Sequence, residues 1–66
     1  MKFEDLGLRI AKIRESKNLS AYELSLRIGK DQSYMHKLEN GKNNPSFKTL
    51  LQICDALSIS INKIIY

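Results

Sequence analysis

Apolar residues recur at helical spacing along almost the whole chain, and breaks at Asn18, Gly29 and Gly41 to Pro45 cut that pattern into short pieces. The one alternating stretch, Ser58 to Ile61, is too short for a strand and has no partner. An all-α fold follows. The chain has 66 residues, and a chain of that size buries only about 60% of its unfolded surface, which is enough for one core. The expected organisation is therefore a single domain over residues 1–66.

The helix boundaries are written in local chemistry. Leu6, Ile10 and Ile13 form one stripe of a first helix over about Phe3 to Lys17. Asn18 can end it in the left-handed conformation, with Leu19 folding back as an apolar anchor. Ser20 and Glu23 have the spacing of a capping box and predict a second helix from Ala21 to about Ile28, built on Leu24 and Ile28 with Tyr22 and Leu26 at its flanks. Gly29 suits a tight turn after it. Asp31 is then expected to cap a third helix, over about 32–40 and ending at Gly41. Met35 and Leu38 point to one side of that helix, and Ser33, His36, Lys37 and Asn40 point to the other. Pro45 holds Asn44 extended, and Ser46 caps a fourth helix with an apolar stripe of Phe47, Leu50, Leu51, Ile53, Cys54 and Leu57. A short fifth helix is expected from Ser60.

Composition narrows the function classes. No apolar run reaches membrane-spanning length, and the acids in MKFEDLG are unlike a signal peptide, so a soluble cytoplasmic protein is expected. One Cys and one His cannot build an internal disulfide or a structural zinc site, so no metal or other cofactor is expected. Cys54 reads as a small core residue. No spaced catalytic constellation and no Gly-rich phosphate loop exist, which argues against an enzyme. The net charge of +4 favours polyanionic partners.

Two short helices joined by a glycine-containing turn form a helix-turn-helix unit, whose second helix can enter the major groove of DNA; an ordinary helical hairpin has the same outline. Further residues carry a resemblance: Arg14 ahead of Leu19 and Ser20, then Glu23 and Leu24, Gly29, the run LENGK from Leu38 to Lys42, Pro45, Ser46, and the apolar helix from Leu50 to Leu57. Over nearly the whole chain the sequence resembles the phage repressor and Cro-like (XRE-type) helix-turn-helix family. The resemblance implies a five-helix, lambda-repressor-like DNA-binding domain. The sequence departs from the family pattern at Ala21, where Gln is frequent, at Ser25, usually alanine, at Lys30, usually small or apolar, and at Ser58, commonly glycine.

The resemblance also implies roles. Base contacts fall to Gln32, Ser33 and Lys37, with His36 as a further candidate, and these side chains match base-edge donors and acceptors. Phosphate contacts fall to Ser20 and Ala21 at the start of the second helix, to Asn40, Lys42 and Asn43, and to the start of the fourth helix. Arg14 and Glu39 are expected to form a largely buried ion pair that positions the third helix. Tyr34 is expected to pack rather than to touch DNA. The function implied is sequence-specific binding of double-stranded DNA as a transcriptional regulator, by default a repressor. The rival reading is a protein-interaction module, such as an antitoxin-like partner protein. Structured RNA ranks third, because side chains enter its deep major groove poorly. Ile61, Ile64, Ile65 and Tyr66 offer more apolar surface than a one-turn helix can hide, so a homodimer is expected.

Overall fold

The computed structural model describes the backbone of residues 3–65 and the side chains of residues 5–65. Among these residues every regular element is helical: α1 (Phe3–Ser16), α2 (Ala21–Arg27), α3 (Tyr34–Glu39), α4 (Phe47–Leu57) and α5 (Asn62–Ile65).

Helices α1 to α4 all end in the same way. The chain turns left-handed just beyond each, at Asn18 (φ 58°), Gly29 (φ 75°), Gly41 (φ 73°) and Ser58 (φ 57°). The next N–H then reaches back into the last turn: Leu19 to the Arg14 carbonyl at 3.3 Å, Lys30 to Ser25 at 3.0 Å, Lys42 to Lys37 at 2.9 Å and Ile59 to Cys54 at 3.0 Å. This bonding pattern satisfies carbonyls that a helix end leaves open. Glycine takes such a backbone without strain and Asn tolerates it, whereas Ser58 bears a penalty of about 1–2 kcal/mol.

The starts of α2 and α4 follow the capping chemistry. The Glu23 N–H donates to the Ser20 hydroxyl at 3.0 Å, and the Ser20 N–H donates to the Glu23 carboxylate at 3.2 Å. The Ser46 hydroxyl accepts from the Thr49 N–H at 3.1 Å. The start of α3 differs from expectation. The helix begins at Tyr34, not at 32, and Asp31 does not cap it; the Asp31 carboxylate holds the preceding turn, accepting from the Ser33 N–H at 2.9 Å and the Ser33 hydroxyl at 2.7 Å. At its other end the helix stops at Glu39, with Asn40 as its cap.

All five helices contribute to one core: Leu6 and Ile10 from α1, Leu24 from α2, Met35 and Leu38 from α3, Ile53, Cys54 and Leu57 from α4, and Ile64 from α5, with Ile28 beside them. Burial pushes the Cys54 thiol up from its usual range, so it sits as a neutral core group. The inner stripe of α4 is narrower than its composition suggests, since Phe47 and Leu51 are 63% and 45% exposed. Leu51 lies about 160° round the helix from Ile53, and Thr49 takes a buried inner position instead.

Two contacts set α1 against its neighbours. A Cβ built on Gly7 would lie 2.6 Å from the Leu38 carbonyl oxygen and 2.9 Å from the Glu39 Cα, so only glycine lets α1 approach the α3 backbone this closely. The Arg9 guanidinium donates to the Ile64 carbonyl at 3.0 Å and fastens α5. Ile64 is fully buried and Ile61 half-buried, so the isoleucines at the described end of the chain largely close the monomer's own core; among them Ile65 stays exposed. Tyr66, expected to add to an apolar C-terminal surface, lies outside the described residues. Among the described residues no helix is long and apolar enough to cross a membrane, and no three His, Cys, Asp or Glu side chains gather as a metal site requires.

Candidate nucleic-acid interface

The helix α3 is seated by Met35 and Leu38, which are 0% and 2% exposed, so the opposite face is turned to solvent. His36 and Lys37 stand on that face, both exposed. Gln32, exposed, and Ser33, half-buried, lie in the turn just before the helix rather than within it. The four base-contact candidates thus sit along one short edge, two on the turn and two on the helix.

Asp31 organises the turn. Hydrogen bonds from the Ser33 hydroxyl and then from its N–H hold the Asp31 carboxyl below the usual carboxylate range, and the nearby Lys37 ammonium adds to that. Because the Ser33 hydroxyl spends its hydrogen on Asp31, its oxygen faces outward chemistry as an acceptor.

The charge of Glu39 would oppose a polyanion, but it is neutralised. Arg14 donates to Glu39 through Nε at 2.8 Å and Nη2 at 3.0 Å, and its Nη1 donates to the Leu19 carbonyl at 2.6 Å. The two side chains are only 12% and 10% exposed. Hydrogen bonding to Glu39, opposed by burial, raises the Arg14 value further, so the guanidinium stays charged. With that pair closed, the formal charge left on α3 is the cation Lys37, which has the Asp31 carboxylate nearby.

The phosphate-contact candidates lie at the start of α2 and in the stretch that follows α3. Lys42 is exposed, and its N–H bond to the Lys37 carbonyl draws the following loop onto α3. The Asn40 amide donates to the His36 carbonyl at 2.7 Å, so part of its donor capacity serves its own helix end. Asn43 is half-buried with its Oδ1 lacking a hydrogen-bond partner. Ser20 is exposed at the start of α2; its oxygen accepts from the Glu23 N–H, and its hydroxyl also bonds to the Glu23 carboxylate. Ala21, half-buried, offers only its backbone N–H.

Three features escaped the reading of the sequence. Gly7 carries no local signal for its contact with α3. Tyr34 was expected to pack, and its ring is half-buried, but its neighbours were not foreseen: its hydroxyl meets Thr49, and Lys30 lies over it with Nζ 5.3 Å from the ring centre. Burial raises the Tyr34 hydroxyl and the Thr49 hydrogen bond opposes that rise. Ser25, fully buried, bonds across from α2 to the backbone of α3.

Comparison with known proteins supplies the context for this geometry. The family model described as helix-turn-helix matches residues 10–64. The chain is 36% identical over 55 residues to the HTH-type transcriptional regulator y4dJ of Sinorhizobium fredii, covering 83% of this chain and 71% of that one. It is 32% identical over 60 residues to the immunity repressor protein of Bacillus phage phi105, covering 91% of this chain but 42% of the repressor. Among solved structures, the restriction-modification controller protein C.AhdI of Aeromonas hydrophila superposes with a TM-score of 0.91 at 30% identity, over 96% of each chain. The chain belongs to the XRE-type helix-turn-helix family of DNA-binding transcriptional regulators.

Proposed function

We propose that the chain is a repressor that reads a specific double-stranded DNA site in the cytoplasm, with the outer face of α3 and the turn before it in the major groove. The observation that carries this reading is the division of α3: Met35 and Leu38 seat it, Arg14 cancels Glu39, and His36 and Lys37 remain outward beside Gln32 and Ser33. In this arrangement Gln32 and Lys37 present donors, Gln32 and Ser33 present acceptors, and His36 adds a nitrogen at the helix centre. Ser20, Ala21, Asn40, Lys42 and Asn43 hold the phosphates on either side and fix the register.

A homodimer would place two copies of α3 about 34 Å apart and demand a pseudo-palindromic site. Support for it now rests on the exposed apolar residues Phe47, Leu51 and Ile65, since Ile64 is internal. Selection of bound sequences from a random duplex pool tests both points, because an operator with twofold symmetry is the expected product. Recovery of no preferred sequence would contradict the reading.

The exposed Leu8, Tyr22, Leu26, Phe47 and Leu51 favour a second reading, in which the main partner is another protein. Salt separates the two. Binding to DNA should weaken with a logarithmic slope of about −0.9 for each phosphate contact, whereas an apolar protein interface shows no such dependence.

A further inference from the structure

Met35 lies in the first turn of α3, where backbone N–H groups have no acceptor within the helix. Ser33, the residue before the helix, makes no side-chain capping bond; its backbone is helical (φ −97°, ψ −2°) instead of extended, and its hydroxyl turns to Asp31. The acceptor comes from another helix. The Met35 N–H donates to the Ser25 Oγ at 2.9 Å, and the same hydroxyl donates its hydrogen to the Ala21 carbonyl at 2.8 Å. Ser25 is 0% exposed, so water cannot replace either bond.

We propose that Ser25 is a positioning residue for DNA reading: from α2 it caps α3 and sets how far α3 slides and rotates on α2. The proposal rests on the reading of α3 as the base-contacting element. Three physical points support it. A helix of six residues is only about 9 Å long, so a small shift along its axis moves its whole outer face. Its apolar anchors, Met35 and Leu38, hold it without directional preference, because hydrophobic burial is non-directional. The Ser25 hydroxyl is directional, and its bond to Ala21 aims the accepting lone pair at α3 instead of leaving it free to rotate. A binding constellation needs its groups held within about 0.5 Å; Arg14 fixes the end of α3 through Glu39, so loss of the directional tie at its start would blur the placement of His36 and Lys37.

The test compares the wild type with Ser25→Ala, well below the unfolding temperature, for binding to the selected duplex and to its single-base variants at several salt concentrations. Met35 amide exchange is measured in parallel. The expected result for Ser25→Ala is a loss of discrimination of about fivefold to tenfold at the base pairs read by α3. Its salt slope should be unchanged, and its Met35 amide should exchange faster. A simple loss of stability would lower the melting temperature while leaving discrimination among the folded molecules intact. Ser25→Cys, which fills the site with a weak acceptor, gives the same comparison if the alanine variant does not fold. Full discrimination with a protected Met35 amide in either variant overturns the role of Ser25 alone. A wild type that binds all duplexes equally overturns the reading of α3, and the proposal with it.

Discussion

Arg14 on α1 and Glu39 at the end of α3 are joined by two parallel hydrogen bonds of 2.8 and 3.0 Å in a site where each side chain is nearly closed to water. The same arginine reaches the Leu19 carbonyl, so one guanidinium ties together the end of α1, the approach to α2 and the end of α3.

Breaking that pair from either side should be costly. Arg14→Met or Glu39→Leu strands a largely buried charge, at about 3 to 5 kcal/mol each by denaturant unfolding. The double variant should lose much less than the sum of the two, because it leaves no unpaired charge. Additive losses would show that the two residues do not depend on each other.

Gly7→Ala should destabilise the fold by about 1–3 kcal/mol, since the new methyl meets the α3 backbone and not a yielding side chain. Chemical denaturation measures it. An unchanged midpoint would mean that α1 and α3 can separate at no cost.

Ser58→Gly should stabilise the chain by about 1 kcal/mol, because it relieves a left-handed backbone at the end of α4. In a chain of this size that is a rise in melting temperature of about 4–8 °C. A fall would mean that the Ser58 side chain contributes more than its backbone strain removes.

Local chemistry was legible in the sequence, and most contacts between helices were not. Helix ends governed by nearest neighbours could be read directly: Asn18 and Gly29 as left-handed exits, Ser20 with Glu23 and Ser46 as entrances. The division of α3 into a seated face and a free face was also legible, since it follows from helical period alone. The start of α3 was not. Asp31 has the chemistry of a cap, but Ser33 offers it both an N–H and a hydroxyl, and the turn they close delays the helix to Tyr34. Gly7 and Ser25 act on residues far along the chain, and no local pattern reports a partner in another helix. Ile64 read as surplus apolar surface because its burial depends on Arg9 fastening α5 from α1.

Acid should weaken the fold through the α2 capping box and the turn before α3. Hydrogen bonds from Ser20 hold the Glu23 carboxyl below its usual range, and those from Ser33 do the same for Asp31. A carboxyl lowered in the folded state contributes stability that is present above its unfolded value, about 4, and is lost as pH falls through the folded value. Melting temperature should therefore hold from neutral pH to about 5 and decline below about 4. Glu23→Gln keeps a capping-box partner and removes the titration, so its acid decline should be shallower. Superimposable pH profiles would contradict this role for Glu23.

The most direct test of the central claim, that the outer face of α3 reads bases while the loop after it holds phosphates, is the affinity of Lys37→Ala and Lys42→Ala for the selected duplex and its single-base variants at several salt concentrations. Lys37→Ala should relax preference at one base pair per half-site, costing about 1–3 kcal/mol on the preferred sequence and less on variants at that position. Lys42→Ala should weaken binding to all duplexes almost equally and flatten the logarithmic salt slope by about one unit. Retained base preference in Lys37→Ala together with altered preference in Lys42→Ala would contradict this account of how α3 lies in the groove.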